Sequence, residues 1–480
     1  MAYKAFLRNF VVEMVRHNTY YIIGQAISLA IIVGAMMLWR GAPVVGSTIA
    51  LAALWSIVCA CYYRCRWRSS MGWWTLLAAF TLLAIGYALN INYFTMASGG
   101  NLDAPVLNNI DAKRTWVAAL YELRLPGGEY LNSMRGYGLF VSALMRVFGL
   151  NIAVPIIANI AAVMFTIILT GAIAHKATDN RRIAGVAMVM IASVCYFLAS
   201  GVILLKDAMV CLSMALAFYG LISLRRISIG RYPIGGLLAL VAAASGLYLI
   251  RANYLPFMAI AAIVMLPWRI NRRAFVATLL VVAGLIVVWR ISYLVGGFVS
   301  TPSKVIAGGE DSAMVVIAPQ HIAYAEILGD YTSLSWWQKL LRLPLTAAVQ
   351  YMVPFPWSFG RDMVFGPSLA YAHVAYPWYA VGACIIYYFI FCVGRSDVKV
   401  RATLTQMACA AVLCYICTAY LSAGMASRYY LPLLPALLPA AAYVVVNHWR
   451  CRAFKIYAVV YALLIAAVLI VAYNMQMSAL

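Results

Sequence analysis

Long apolar segments recur along almost the whole chain, and they constrain its fold more than any other feature. A helix that crosses a bilayer needs about 20 apolar residues, because each residue advances it by about 1.5 Å. The 480-residue sequence contains thirteen such candidates. They lie at 20–39, 44–63, 72–92, 152–175, 183–199, 207–224, 233–250, 254–268, 274–295, 373–394, 402–422, 429–447 and 456–474. With 66% hydrophobic and 10% charged residues, the sequence predicts an all-α polytopic membrane protein.

The basic residues predict how these spans are oriented. In membrane proteins, Lys and Arg gather in the cytoplasmic loops. Six basic clusters fall on the same side of the predicted membrane as the N-terminus. They are Arg64/Arg66/Arg68, Lys176/Arg181/Arg182, Arg225/Arg226/Arg231, Arg269/Arg272/Arg273, Arg395/Lys399/Arg401 and Arg450/Arg452/Lys455. The N-terminus is therefore predicted to be cytoplasmic and the C-terminus extracytoplasmic. The net charge of +22 belongs to these loops and does not indicate nucleic-acid binding.

Two long loops, 93–136 and 296–372, lie on the predicted outer side and divide the chain into four regions. Long loops of this kind usually carry function. A cytoplasmic segment and an extra transmembrane hairpin occupy 1–71, and a membrane module that includes the first outer loop occupies 72–295. The second outer loop, with interfacial helices, is followed by terminal membrane helices at 373–480. Of the 13 acidic residues, only Glu13, Asp179 and Asp397 fall on the cytoplasmic side.

The first outer loop predicts a short surface helix. Asn109 or Asp111 can cap it, and Trp116, Leu120 and Leu123 recur at helical spacing, so the helix is expected to lie flat on the membrane. The following apolar stretch, 136–149, is too short to span comfortably and is predicted to be interfacial or half-inserted.

The order of several short segments resembles the integral-membrane glycosyltransferases of the GT-C superfold. These segments are GYGLFVSALMRVFGLN at 136–151, LLKD at 204–207 and RYYLPLLP at 428–435, preceded by the acidic outer loop with its surface helix. The similarity is to the bacterial branch related to protein mannosyltransferases and lipid A aminoarabinose transferases. It extends loosely over residues 72–447 and implies a GT-C-like fold.

The resemblance implies transfer of a sugar from a polyprenyl-phosphate donor to a lipid, glycan or protein acceptor on the outer face of the membrane. A bacterial inner membrane with an undecaprenyl carrier is the expected location. The resemblance also implies that the catalytic aspartate lies in the first outer loop, where Asp111 is the best match and Asp103 the second candidate. The sequence departs from the family pattern in having two extra spans before that loop and no Asp-Glu pair within it. For Asp111, the alternative is a helix cap without a chemical role.

Glycosyl transfer from a lipid phosphate needs a base for the incoming hydroxyl and positive charge for the departing phosphate. Lys206 could hold the phosphate, and Asp207 could orient it or bind a divalent metal; the alternative is an ion pair at the start of a helix. Arg251 and Arg428 occupy predicted outer helix ends, where either can bind a phosphate bidentately or extend to the lipid headgroups.

The second outer loop supplies further candidate contacts to the acceptor or to a metal, namely His321, Glu326 and Arg361. His321 and Glu326 are five residues apart and do not share a helical face, which disfavours a metal site between them. Trp357 could stack on a sugar ring or belong to an aromatic belt at the interface. No definite cofactor is implied, and Mg²⁺ or Mn²⁺ remains open.

Two other classes of function fit parts of the pattern. An oligosaccharide polymerase or ligase of the O-antigen type also has many spans and a large late outer loop, but its catalysis relies on Arg and His instead of an early aspartate. A coupled transporter is disfavoured because the predicted spans carry no acidic residue at mid-depth. A purely structural membrane protein is disfavoured by the concentration of carboxylates on one face.

Overall fold

A computed structural model describes residues 23–32, 34, 44–97, 105, 107, 110–124, 135–225, 234–265, 335–352, 376–393, 398–421 and 430–478. Within these ranges the secondary structure is entirely helical, with short turns between the helices. The predicted all-α class is confirmed for this part of the chain.

The helices of the N-terminal half are α1 (Ile23–Ile32), α2 (Val44–Tyr63), α3 (Ser70–Ala97), α4 (Ile110–Arg124), α5 (Arg135–Phe148), α6 (Ala153–Thr178), α7 (Arg181–Ala192), α8 (Cys195–Val202) and α9 (Asp207–Arg225). Next come α10 (Ile234–Arg251), a 3₁₀ turn (Ala252–Tyr254), α11 (Leu255–Met265) and α12 (Trp336–Met352). The last are α13 (Tyr376–Tyr387, continued as a π-helix over Tyr388–Cys392), α14 (Val398–Leu421), a 3₁₀ turn (Leu431–Leu433), α15 (Leu434–His448) and α16 (Arg452–Ser478).

Seven described segments are long and apolar enough to cross a membrane, or eight if one bent pair of helices counts as a span. The predicted spans at 44–63, 72–92, 152–175, 207–224, 429–447 and 456–474 each correspond to one of the seven. Shorter apolar helices stand at three further predicted positions, as Ile23–Ile32, Tyr379–Cys392 and Thr403–Thr418. The predicted span at 274–295 lies outside the described residues.

Helix α6 is at the centre of the bundle and contacts α2, α3, α5, α7, α8, α9, α14 and α15. Its buried threonines satisfy their hydroxyls within the helix: Thr166 donates to the Ala162 carbonyl at 2.7 Å. Such internal bonds allow a polar side chain to be buried without an external partner. The helix ends at Asp179, which adopts a left-handed conformation (φ 53°). Asn180 then caps α7 by accepting from the backbone N–H of Arg182 at 2.8 Å.

Two segments depart from the predicted spans. The span predicted at 183–199 is a bent pair, in which α7 and α8 meet at 66° because Val194 between them is extended (φ −78°, ψ 96°). The two spans predicted at 233–250 and 254–268 form one apolar run, Ile234–Met265, interrupted at Arg251. The two halves of that run have different neighbours, since α10 packs on α5 and α9, whereas α11 packs on α9 and α14.

Three of the basic clusters meet at one end of the bundle. The ring of Trp67 stacks on His175 at 6.4 Å between ring centroids, and Lys176 donates to the Ser223 hydroxyl at 2.8 Å. These contacts join the chain near Arg68, Arg181 and Arg225. We call this the basic end, and the opposite end, where α9 begins, the Asp207 end.

Helices α14 and α15 link the same two ends. Near the C-terminal end of α14, Cys414 donates to the Phe257 carbonyl at 3.5 Å, and the Tyr415 ring contacts Tyr430. Phe257 follows Arg251 closely in the chain, so this end of α14 lies at the Asp207 end. At the other end of α14, Thr405 contacts Tyr388, whose π-helix reaches His448 through Cys392. Residues after His448 therefore belong to the basic end.

Candidate functional site

A buried ion pair stands at the start of α9. Asp207 is the first residue of that helix, and its Oδ1 lies 3.5 Å from Nη1 of Arg251, the last residue of α10. The side chains are only 3% and 16% exposed. A carboxylate at a helix N-terminus is also favoured by the helix dipole. Two charges inside a largely apolar bundle are costly to bury and are therefore candidates for function.

Arg251 owes its position to a break in the helix. Its backbone leaves the helical region (φ −159°, ψ 76°), which ends α10 and starts the 3₁₀ turn at Ala252. The guanidinium lies over the Tyr254 ring, 5.4 Å from its centroid. A guanidinium carries five N–H donors. One of them, at Nη1, faces the Asp207 carboxylate.

Two asparagines hold the connector between α8 and α9. The buried Asn159 donates from Nδ2 to the carbonyls of Ile203 and Leu205, both at 2.9 Å. Asn90, also buried, donates to the Val202 carbonyl at 2.8 Å. Val202 ends α8, and Ile203 and Leu205 follow it, so these carbonyls lie at a helix end, where side-chain amides commonly bind backbone groups. The connector that carries Lys206 into Asp207 is thereby fixed.

The same network reaches the surface helices. The buried Tyr137 of α5 donates its hydroxyl to Oδ1 of Asn159 at 2.9 Å. One residue earlier, a methyl group at Gly136 would overlap the Leu249 carbonyl oxygen, so α5 and α10 are in backbone contact there. Only glycine permits such a close approach. Helix α5 is therefore docked beside both partners of the ion pair.

Helix α4 packs on the other side of α5. The predicted helix in this loop is present, but Trp116 is only 5% exposed because the apolar side of α4 lies against protein. Glu122, on the same helix, is also 5% exposed. Arg146 of α5 donates from Nη2 to the Glu122 carbonyl at 2.9 Å. The stretch predicted to be interfacial is thus a regular helix that anchors α4.

The polar residues of this site lie at one level of the bundle. At about 1.5 Å per residue, Asn159 is about 28 Å along α6 from Thr178, and Asp207 is about 27 Å along α9 from Arg225. By the same measure, Arg251 is about 26 Å along α10 from its start. The hydrocarbon core of a bilayer is about 30 Å thick. If the basic end is at one membrane surface, the ion pair lies near the other.

The structure brings two of the ten predicted site residues, Asp207 and Arg251, into contact, with Lys206 next to them in the chain and half-buried. Asp111 is the second residue of α4, and its side chain is outside the described part of the structure. The remaining candidates also lie outside the described residues: Asp103, Arg428, His321, Glu326, Arg361 and Trp357. The described chain resumes at Tyr430, and the 3₁₀ turn that follows it contacts α9.

Sequence reasoning missed Asn90, Asn159 and Tyr137. A signal for the asparagines was present, because both are side-chain amides inside spans predicted to be apolar. An amide in such a position needs hydrogen-bond partners within the protein. In the described part of the chain, no three His, Cys, Asp or Glu side chains are grouped so that they could hold a metal ion.

The described chain is a helical bundle in which seven segments are long and apolar enough to cross a membrane, with a buried polar network at one end. No protein-family model matches the chain. No curated protein and no solved structure matches it significantly.

Proposed function

We propose that this protein is a membrane glycosyltransferase that moves a sugar from a polyprenyl-phosphate donor to a lipid, glycan or protein acceptor. The buried Asp207–Arg251 pair is the observation that carries the proposal. It provides a cation near the level at which a lipid phosphate sits, about one hydrocarbon thickness from the basic end. With the basic end in the cytoplasm, the reaction takes place on the outer face, in our proposal of a bacterial inner membrane.

Arg251 and Lys206 would bind the donor phosphate, together with Arg428 from the segment before Tyr430. Asp207 would keep the Arg251 guanidinium in place, and a guanidinium that is already oriented binds phosphate at a smaller entropic cost. Asn159 would position Lys206 through the connector it holds. In this arrangement the buried aspartate is a positioning residue, whereas the cations contact the substrate.

The proposed step is a single displacement. The acceptor hydroxyl oxygen forms a bond to the anomeric carbon of the sugar while the bond from that carbon to the phosphate oxygen breaks. Polyprenyl phosphate leaves with the bonding electrons, and Arg251 and Lys206 stabilise its added negative charge. The hydroxyl proton passes to Asp111, which acts as general base. Asp103 is the second candidate for that role, and a divalent metal could assist the phosphate.

The direct test is an assay with purified protein in nanodiscs and a panel of radiolabelled polyprenyl-phosphate sugars, with and without EDTA. Transfer is expected with one of these donors. The Asp111→Asn protein should lose at least about 100-fold in kcat, the usual contribution of a general base. Arg251→Gln should raise KM for the donor. The control is Asp179→Asn, which changes an exposed aspartate at the basic end and should leave transfer unchanged.

Absence of transfer from every donor would contradict the proposal. Full activity of the Asp111→Asn protein would instead favour a polymerase or ligase, whose chemistry relies on Arg and His. Loss of activity with EDTA, restored by Mg²⁺ or Mn²⁺, would add a metal to the reaction.

A further inference from the structure

Helix α4 presents a basic face to the outside of the protein. Lys113, Arg114, Tyr121 and Arg124 are all exposed. At 3.6 residues per turn, these four positions fall within an arc of about 100° around the helix. We call them the basic face of α4.

Within the described part of the chain, this face carries positive charge without a paired carboxylate. Among the described residues, no ion pair engages Lys113, Arg114 or Arg124. The acidic residue of the same helix whose side chain is described, Glu122, is buried on the other side. On the neighbouring helix α5, Arg146 is also exposed.

The face lies at the end of the bundle where cations are unexpected. Helix α5, on which α4 packs, is tied to the Asp207 end through Tyr137 and Gly136. The positive-inside rule accounts for the clusters at the basic end. It does not account for three exposed cations on one side of a helix at the opposite end, so these cations require another explanation.

The exposed side chains of α4 and α5 indicate whether the basic face of α4 meets water or lipid. Helix α5 exposes large apolar side chains, including Val147 at 73% and Phe148 at 63%, as expected of a surface that meets lipid. On α4, the exposed large hydrophobic side chain is Tyr121, while Trp116 is buried. A helix that lies in the headgroup region inserts its apolar side into lipid. The apolar side of α4 is already covered by protein, so its basic face meets water.

We propose that the basic face of α4 binds an anionic acceptor from the aqueous phase, namely a glycan that bears phosphate, sulfate or carboxylate groups. The inference rests on the proposed function and specifies the class of its acceptor. Among the described helices, α5 lies between α4 and the buried ion pair, because α5 packs on α4 and its Gly136 contacts Leu249 near Arg251. A glycan held on α4 could therefore extend a hydroxyl around α5 toward the donor.

The test is binding of a fluorescein-labelled heparin hexasaccharide to the full-length protein in nanodiscs of zwitterionic lipid, measured by fluorescence anisotropy. The variant carries Lys113→Gln, Arg114→Gln and Arg124→Gln together. Three exposed charge contacts account for about a tenfold change in affinity. The variant should therefore bind about tenfold more weakly, and its affinity should depend less on salt. Labelled maltohexaose, which is neutral, should not bind either protein.

The matched control carries Arg450→Gln, Arg452→Gln and Lys455→Gln, which remove three exposed charges at the basic end. It should change the affinity less than twofold. Equal losses from the two triple variants would overturn the inference, because binding would then follow net charge alone. Binding that disappears in nanodiscs containing phosphatidylglycerol would assign the face to lipid headgroups and would also overturn it.

The inference and the proposed function fail separately. If the unaltered protein transfers sugar but its α4 variant still binds the hexasaccharide normally, the inference alone is contradicted. Specific binding on α4 without transfer from any donor would contradict the proposed glycosyltransferase alone.

Discussion

The two ends of the bundle handle polar groups in opposite ways. At the Asp207 end, buried side chains bond to partners far away in sequence: Asn90 and Val202 are 112 residues apart, and Tyr137 and Asn159 are 22 apart. At the basic end, most such bonds are local. The Tyr62 hydroxyl and Ser69 are seven residues apart, and Asn180 caps its own helix. Long-range bonds fix helices relative to one another, whereas local bonds only shape each helix end.

Burial explains the difference. A polar group that water cannot reach must find its partner in the protein, and leaving it unpaired costs about 1–3 kcal/mol. The cations of the basic end are largely exposed to water. Lys176 is an exception, since it donates to Ser223 on another helix and lies over the Tyr219 ring at 4.5 Å. The Asp207 end thus has the rigidity that a reaction site requires.

The contrast between the Asp207 end and the basic end has a functional meaning only if they face opposite sides of the membrane. Labelling with a membrane-impermeant maleimide shows which end faces the cytoplasm. In right-side-out spheroplasts, a Lys113→Cys protein should be labelled at the Asp207 end. The native Cys451, exposed at the basic end, should react only after the membrane is permeabilised. The effect is all-or-none because the reagent does not cross the bilayer.

Each thiol serves as the control for the other, in a background in which the exposed Cys61 is replaced by Ser. Labelling of Cys451 in intact spheroplasts, with protection of Lys113→Cys, would reverse the assignment. The proposed reaction would then face the cytoplasm.

The next largest effect concerns the ion pair. Arg251→Leu should destabilise the protein by about 3–5 kcal/mol, because it leaves the Asp207 carboxylate buried without its cation. Unfolding by SDS in mixed micelles, followed by circular dichroism, measures this. Replacement of both residues by Leu should recover most of the loss, since the buried charge disappears with its partner.

Lys176→Met is the matched change at the basic end and should cost about 1 kcal/mol or less. If the double replacement is no more stable than Arg251→Leu alone, the pair does not behave as a coupled unit. The comparison between the two ends would then lose its main support.

Asn159→Ala tests the long-range hydrogen bonds. It removes three bonds and leaves the Ile203 and Leu205 carbonyls and the Tyr137 hydroxyl without this partner, so we expect a loss of about 2–4 kcal/mol. Asn180→Ala, which removes a helix cap at the basic end, should cost about 1 kcal/mol. The same SDS titration compares them. Equal losses of stability would mean that these long-range hydrogen bonds stabilise the protein no more than a local helix cap does.

Much of the fold follows from the sequence, because an apolar run of the right length has few alternatives to a spanning helix. Helix α9 illustrates this, since its predicted span, 207–224, begins at the first residue of the helix. The 66° bend between α7 and α8 could not be predicted in this way. No proline or glycine lies at the bend, and the apolar pattern continues across Val194, so the pattern of apolar residues does not indicate it.

The site was predictable as separate residues but not as an arrangement. Asp207 and Arg251 stand out because each is a charge at the end of an apolar span. Their contact depends on how α9 and α10 pack against each other. The apolar pattern of a single sequence does not show which helices are neighbours. Asn159 belongs to the same class, since its importance comes from the three groups that surround it. For Asp111 the sequence predicts a role, and the assay of the Asp111→Asn protein tests that role.

The smallest of these effects compares two glycines that meet different surroundings. Gly136→Ala should cost about 1–3 kcal/mol, because the new methyl group would force α5 away from the Leu249 carbonyl. Gly235, in the first turn of α10 at the basic end, has no described atom within 4 Å of its added methyl group. Gly235→Ala should therefore be neutral or stabilise the helix by up to about 1 kcal/mol. A Gly136→Ala protein as stable as Gly235→Ala in the same titration would show that α5 is not held against α10, and the link from α4 to the ion pair would be lost.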